Sequence, residues 1–450
     1  MSSPADRSFR PQQLLPLIVS ELPRPASYWV GFSGGLDSTV LLHALAVLRA
    51  ELPARLRAVH IDHCLQPSSG DWAVHCRQVC DALGIELTSL VVDARAAPGE
   101  SPEAAARRAR YAAISGALGP QAMLLTAHHL DDQAETLLLQ LLRGAGVEGL
   151  AAMPMLRPWQ GLWHARPLLR WSRAALRDWA QTQGLRWVED PSNAATAADR
   201  NYLRQRLMPL LHARWPGASQ AIARSAVHCA EAAELIAEQS RVELDRVADA
   251  EGRRLRVDRL CALPPAAARH LMRSWLKVLG APPIPHRRLH EALGQLCRSR
   301  ADATVRVAWE GVELRRFRGE VWLRRSTTPP CPAGLLHWGG GDVLDLGPGI
   351  GRLRRHLAPG GIDRERWERG RVEVGFRAAG LRCRPVGRQG SRSFKKLAQD
   401  VGMPPWLRSL APLLYIDGEI AAVADRVVCE PFGAQPGASG WHLVWEDPGD

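Results

Sequence analysis

The chain has 450 residues, 46% of them hydrophobic and 23% charged, with a formal net charge of +12. That length argues for more than one domain, and that composition for folded domains with real cores rather than a disordered or fibrous chain. No run approaches the roughly 18 apolar residues of a membrane helix, and the charge suits a polyanionic partner, carried almost wholly by arginine because the lysines are Lys277, Lys395 and Lys396.

In chain order, Leu14–Val19 is too short and too soon interrupted by Glu21 to be an export segment. Apolar runs at Tyr28–Phe32, Leu56–Ile61, Glu86–Val92 and Ala122–Thr126 predict strands. Between and after them, Ser38–Ala50, Asp71–Leu83, Pro102–Leu118 and Asp131–Arg143 predict helices. Such alternation predicts an α/β fold with a parallel, doubly wound sheet. Ligands bind such sheets beyond the carboxyl ends of the strands. The polar loops Ser33–Ser38, Asp62-His63 and Ala127–Asp132 all follow strands, so they should share one edge.

Beyond Trp215-Pro216-Gly217 the pattern changes. Ala218–Val247 predicts a long helix, and Leu271, Trp275, Leu276 and Leu279, then Leu289, Leu293 and Leu296, mark two more. Short strands are expected at Thr304–Trp309, Val312–Phe317 and Val321–Arg325. Thr327-Thr328-Pro329-Pro330 and the glycines at 339–341 read as a linker. A small mixed domain with a basic stretch, Arg377 to Lys396, completes the chain. The nine cysteines are odd in number and irregularly spaced, which predicts no disulfide framework and a reducing, cytoplasmic setting. Cys76 and Cys80, four apart, fit a buried helix face better than a metal site.

The stretch Ser33-Gly34-Gly35-Leu36-Asp37-Ser38, between a strand and a helix, has the chemistry of a phosphate cradle. Glycines admit the anion to the backbone, and serine hydroxyls add donors. Asp37 would repel phosphate unless it binds a bridging Mg²⁺; a plain helix cap is the alternative. The loop lacks the spacing of a Walker P-loop. In the second loop, Asp131 and Asp132 with His128 and His129 suit metal binding or proton movement, or simply a helix N-terminus that favours acids. Arg200, Arg204 and Arg206 suit phosphate or RNA, or a solvated helix face. Glu103 and Arg107 fit an i,i+4 surface pair. The adjacent Lys395 and Lys396 suit contact with RNA phosphate, or a solvated turn.

SGGLDS resembles the pyrophosphate loop of the N-type ATP pyrophosphatases, the PP-loop or adenine nucleotide alpha hydrolase-like ATPases. Five further stretches resemble the tRNA(Ile)-lysidine synthase family among them: Thr126–Thr136, Arg143–Leu150, Arg166–Leu169, Glu189–Asn193 and Asp199–Arg204. Phe394–Leu397, Val401–Arg408 and Leu413–Tyr415 extend the resemblance toward the end of the chain. It implies a catalytic domain over residues 1–215, a mainly helical tRNA-binding domain over 216–328 and a small α+β tRNA-binding domain over 329–450. It implies use of ATP and Mg²⁺ to join L-lysine to C2 of the wobble cytidine in tRNA(Ile) with a CAU anticodon. Catalytic roles would fall on Asp37, Asp132, His129 and Arg204, with Asp132 as an acceptor for the lysine proton. ATP would be held by Ser33, Gly34, Gly35, Leu36, Asp37, Ser38, His60 and Asp62, the last two through backbone groups near the adenine. Arg110 and Tyr111 join Arg107 as implied site residues, and Arg107, Asp131, Glu135, Asn201, Lys395 and Lys396 would contact tRNA or lysine. Members often dimerise, so a homodimer is expected. A tRNA thiolase is the alternative within the superfamily, disfavoured because no motif loop carries a cysteine pair.

Overall fold

The computed structural model describes residues 8–62, 69–93, 95, 102–189, 199–300, 303, 305–327, 331–332, 334–376 and 380–446. His63, residues 190–193 of the Glu189–Asn193 motif, the start of the basic stretch at Arg377 and the side chain of Glu103 lie outside the described residues. The chain forms two compact units, Met1–Leu235 and Ile236–Asp450.

The first unit is built on a six-stranded sheet. Its strands are β1 (Ser27–Gly31), β2 (Arg55–Asp62), β3 (Glu86–Val91), β4 (Met123–Leu125), β5 (Leu156–Trp159) and β6 (Leu162–Ala165), in the order β3-β2-β1-β4-β6-β5. All neighbours are parallel except β5 with β6. Val30 faces Ala58 of β2 on one side and Leu125 of β4 on the other. A central strand covered on both faces has to be continuously apolar, which explains the run Tyr28-Trp29-Val30. Helices α1 (Leu36–Val47), α2 (Ser69–Leu83), α3 (Pro102–Ala117) and α4 (Leu130–Leu142) follow the first four strands in turn. Phe32, Leu41, Leu42 and Leu45 are at most 1% exposed, and each such side chain contributes roughly 1.5–3 kcal/mol relative to exposure. Cys76 and Cys80 are fully buried in the same core.

The chain runs outward from β1 to β2 and β3, then returns to place β4 on the other side of β1. The strand order therefore reverses between β1 and β4. Such a reversal opens a crevice at the carboxyl ends of the two strands, and both polar loops of interest leave from there. The β5–β6 hairpin has no counterpart in the expected elements. Arg157, Pro158 and His164 interrupt its apolar pattern, and its turn uses positive φ at Gln160 (49°) and Gly161 (77°). The unit continues through α5 (Arg173–Thr182), α6 (Asp199–Tyr202), a π-helical turn (Leu203–Leu207), α7 (Met208–Arg214) and the first part of α8 (Ala218–Val247).

The second unit contains a four-stranded antiparallel sheet of Leu255–Arg256, Glu320–Arg325, Val312–Phe317 and Arg306–Trp309. With the helices Val257–Ala262, Pro265–Val278 and His286–Arg298 it encloses the fully buried Trp275. Leu336–His337, Val372–Gly375, Leu413–Ile416, Glu419–Val423 and Val427–Val428 form a further antiparallel sheet, and Val343–Asp345, Arg352–Pro359, Ser439–Glu446 and Ile362–Asp363 another. The whole is α/β followed by helical and mixed α+β parts, as the motif order implied.

One expectation is corrected here. Cys261 pairs with Cys297 and Cys383 with Cys429, at Cα–Cα separations of 5.5 and 5.9 Å. Those separations suit a disulfide, whereas sequence spacing alone reveals no pairing. Cysteine usage therefore no longer argues for a reducing compartment. Among the described residues no helix is long and apolar enough to cross a membrane.

Candidate active site

The loop Ser33–Ser38 closes on itself before α1 begins. Gly34 has a φ of 79°, and a Cβ there would meet Cys76 Sγ at 3.0 Å, so both conformation and packing demand glycine. Ser38 Oγ donates to the Gly35 carbonyl at 3.0 Å and accepts the Ser33 N–H at 3.3 Å. With its proton so used, it accepts the Ser33 hydroxyl at 3.1 Å. Ser38 is buried and fastens the loop, while Ser33 is exposed. The N-cap Gly35 offers no side-chain acceptor, and its carbonyl takes the Thr39 N–H at 3.0 Å. The N–H groups of Leu36, Asp37 and Ser38 therefore stand ahead of the first intrahelical bond, where a helix favours an anion.

Helix α4 opens opposite. His129 is its N-cap: Nδ1 accepts the Asp132 N–H at 3.3 Å, and Asp132 Oδ2 accepts the His129 N–H at 3.0 Å. A neutral ring that accepts at Nδ1 carries its proton on Nε2. That atom lies 3.4 Å from Asp132 Oδ2 and 3.8 Å from Asp37 Oδ2, so His129 bridges the two loops.

Asp132 and Glu135, one turn apart on α4, meet two arginines. Arg204 donates Nε to Glu135 Oε1 at 2.7 Å, and Nη2 to Glu135 Oε2 at 3.0 Å and Asp132 Oδ1 at 2.9 Å. Arg200 donates Nε to Glu135 Oε2 at 2.9 Å and Nη2 to Asp132 Oδ1 at 3.0 Å. The helical register that brings Arg200 and Arg204 onto one face passes through the π-helical turn. Burial alone would raise the Asp132 carboxyl, but the electrostatic pull of His129, then of the Arg200 and Arg204 guanidinium groups, outweighs it and holds it down at about 2. Burial likewise opposes charge on Arg204, yet its bonds to Glu135 and the charges of Glu135, Asp132 and Asp37 raise its pKa above the ordinary guanidinium value. A carboxylate so stabilised in its charged form is a weak proton acceptor, which argues against Asp132 as the base for lysine.

Asp131 is tied within the protein on both oxygens. Oδ2 accepts the backbone N–H of Arg173 at 2.8 Å, and Oδ1 accepts the Ser219 hydroxyl at 2.7 Å. Arg173 also places Nε 3.5 Å from Asp37 Oδ1. Neither Arg173 nor Ser219 stands out in the sequence; each acquires its place only when α5 and α8 pack beside α4.

His128 points into a separate chain of groups. Thr126 Oγ1 lies 2.9 Å from both His128 Nδ1 and His164 Nε2, and Arg166 Nη2 lies 3.3 Å from His164 Nδ1. Burial, with Arg166, Arg200 and Arg107 nearby, pushes His128 down to about 3 although Asp132 opposes it. Burial and the charges of Arg166, Arg157 and Arg107 push His164 down to about 2. Arg107 lies over the Tyr111 ring at 5.1 Å, and that ring meets Trp159 edge-on at 5.2 Å. His60 is buried with Nδ1 2.9 Å from the Phe32 carbonyl, and Asp62 ends β2 half-buried. Asn201 is half-buried on α6. Lys395 and Lys396 are exposed on the helix Phe394–Asp400 of the second unit.

Asp37 carries a carboxylate whose chemistry suits Mg²⁺. Its Oδ1 is buried and accepts no hydrogen bond among the described residues, with Arg173 Nε 3.5 Å away. Mg²⁺ takes one or two carboxylates, with substrate phosphates completing the set. Among the described residues no group of three or more His, Cys, Asp or Glu could hold an ion unaided.

Family profiles match three stretches: a PP-loop domain at residues 12–211, a TilS substrate binding domain at 255–322 and a TilS substrate C-terminal domain at 372–445. The chain is 43% identical over 423 residues to the tRNA(Ile)-lysidine synthase of Methylococcus capsulatus, covering 91% of this chain and 94% of that one. It is 44% identical over 427 residues to the tRNA(Ile)-lysidine synthase of Alkalilimnicola ehrlichii, covering 94% and 95%. Among solved structures, the U34-tRNA thiolase NcsA from Methanococcus maripaludis is similar at 17% identity and a TM-score of 0.42, over 49% of this chain and 78% of that one, too loose a likeness to bear on function. With identity of this order over nearly its full length, the chain belongs to the tRNA(Ile)-lysidine synthase family.

Proposed function

We propose that the protein ligates L-lysine to C2 of the wobble cytidine, position 34, in tRNA(Ile) with a CAU anticodon, consuming ATP. The cytidine O2 attacks the α-phosphate and pyrophosphate leaves. The lysine ε-amine then attacks C2, and AMP departs with the base oxygen. Adenylation turns a poor leaving group into a good one, which is what a pyrophosphatase loop beside a nucleic-acid site is for. The observation that carries this reading is the meeting of two loops at the sheet's switch point. The loop with the uncapped N–H groups of Leu36–Ser38 is joined to the α4 terminus by the His129 bridge between Asp37 and Asp132.

In this reading the loop N–H groups and Ser33 hold the leaving pyrophosphate, and Asp37 holds Mg²⁺. Such an ion, when bound, neutralises phosphate charge. Arg204 and Arg200, fixed by Glu135 and Asp132, present their remaining donors to the α-phosphate or the base. The second unit, with Lys395 and Lys396, binds tRNA backbone, and the setting is cytoplasmic. The target base leaves its stack to react, which is easiest in a single-stranded anticodon loop. A homodimer is part of the proposal, to be read by light scattering.

A thiolase needs a reactive cysteine. Cys76, packed under Gly34, has its thiol pushed up to about 12 by burial and then by Cys80, the opposite of nucleophile activation. The test is pyrophosphate release from ATP and Mg²⁺ in the presence of tRNA but not lysine. One equivalent of adenylated tRNA should accumulate and react when lysine is added. Pyrophosphate release that requires sulfide instead would favour the thiolase.

A further inference from the structure

Apart from the cluster of Asp132, Glu135, Arg200 and Arg204, four groups, Arg166, His164, Thr126 and His128, are joined in a line. Arg166 is 2% exposed, donates Nη1 to the Pro154 carbonyl at 2.7 Å and has its Nε buried without a partner. A guanidinium has donors only, so in the contact with His164 Nδ1 the histidine must accept. The single proton of neutral His164 then sits on Nε2 and is donated to Thr126 Oγ1. The hydroxyl keeps one proton of its own, and giving it to His128 Nδ1, the ring on its other side, completes the line. In that arrangement His128 carries its proton on Nε2, an atom with no hydrogen-bond partner among the described residues.

We propose that Arg166, His164 and Thr126 form a directional relay that locks His128 as a neutral imidazole. It presents Nε2–H as a fixed donor to an electron-rich oxygen of the bound substrate. His128 is then a hydrogen-bond donor and neither a general base nor a metal ligand through Nδ1. Arg166, His164 and Thr126 are positioning residues. The surroundings enforce neutrality. Asp132, Arg166, Arg200 and Arg107 act on His128, and Arg166, Arg157 and Arg107 act on His164. Arg157 lies directly across the β5–β6 pair from His164, whose ring also meets those of Tyr111 and Trp159. A proton on either ring would add a cation among arginines, with Asp132 alone to offset it. A donor of fixed direction costs no reorganisation when charge develops on its acceptor. The choice of acceptor, a phosphoryl oxygen of ATP or the carbonyl oxygen of the base, rests on the adenylating reading; the tautomers are properties of the free protein.

The test is ring ¹⁵N spectroscopy of histidine-labelled full-length protein, with His128→Gln and His164→Gln used only to assign resonances. Both rings should show protonated Nε2 and bare Nδ1, with no titration between about pH 5.5 and 8.5. Thr126→Val, which keeps the shape but cuts the relay, should give His128 mixed tautomers and lower turnover by on the order of tenfold to a hundredfold. Thr126→Ser should restore both. A protonated Nδ1 on His128, a His128 that titrates in that range, or an unchanged His128 spectrum in Thr126→Val would overturn the relay. Adding α,β-methylene ATP, or separately a CAU anticodon stem-loop, identifies the acceptor by which of them shifts the Nε2–H resonance. No shift with either at saturation would overturn the donor role. Failure of lysine transfer would leave the ring spectra standing, so the two readings fail separately.

Discussion

The Ser219 hydroxyl donates to Asp131 Oδ1 at 2.7 Å, joining residues 88 positions apart in the chain. With the Arg173 N–H on the other oxygen, this makes Asp131 a fastening between helices α4, α5 and α8. Ser219→Ala should cost about 1–2 kcal/mol by leaving that oxygen short of a donor. Turnover measured at a temperature where the variant is folded should change only a few-fold. Loss of turnover without loss of stability would return Asp131 to the chemistry.

Glu135 behaves differently because it is 1% exposed and holds two guanidinium groups at once. Glu135→Gln removes the charge and keeps the shape, leaving Arg200 and Arg204 with Asp132 as their remaining carboxylate. Breaking one side of such a buried pair costs about 3 kcal/mol. Urea unfolding of the variant should show that loss, together with a fall in turnover. An unchanged unfolding midpoint would mean that the pairing of Glu135 with Arg200 and Arg204 adds nothing to stability.

The two glycines of the first loop should separate. Gly34→Ala places a Cβ at positive φ and against Cys76 Sγ, so it should cost at least about 1–2 kcal/mol and impair pyrophosphate release. Gly35 has a φ of −76°, and a Cβ there meets only ordinary contacts, the nearest at 3.6 Å. Gly35→Ala should stay within about 1 kcal/mol of the parent. Equal losses by thermal unfolding would contradict the loop geometry.

Acid should destabilise the first unit in two windows. His128 and His164, lowered from 6.5 to about 3 and about 2, stay neutral in the folded protein while the unfolded chain takes up protons. The unfolded state thus binds more protons below pH 6.5, and stability falls there by up to about 1.4 kcal/mol per pH unit for each ring. Asp132 acts lower down. Its carboxyl is depressed from 3.8 to about 2, so its contribution is full above 3.8 and is lost as pH falls toward 2. Urea midpoints between about pH 7 and 4.5 should fall more steeply for the parent than for His164→Gln. Equal slopes would show that the buried rings do not govern this window.

Much of the site was legible because its backbone logic is local. The run Tyr28–Phe32, the glycines after it and the acids at the start of α4 announce a strand, a turn and a helix terminus within a few residues each. What was not legible depends on packing between distant segments. Arg166 could be seen in its motif, but its burial against His164 needs the β5–β6 hairpin, whose short strands with Arg157 and Pro158 give no clear alternation. Arg173 and Ser219 gain meaning only beside Asp131. Asp132 was legible as a site carboxylate, but its pairing with Arg200 and Arg204 comes only from packing between distant segments. The paired cysteines were missed for the same reason, since spacing along the chain does not report proximity in space.

The most direct measurement combines the protein, ATP, Mg²⁺, labelled lysine and a tRNA with a CAU anticodon. Label should enter the tRNA, with AMP and pyrophosphate released in equal amounts, and Asp37→Ala should abolish both while its unfolding midpoint stays near that of the parent. An unlabelled tRNA with the intact protein, or full transfer by Asp37→Ala, would contradict the account.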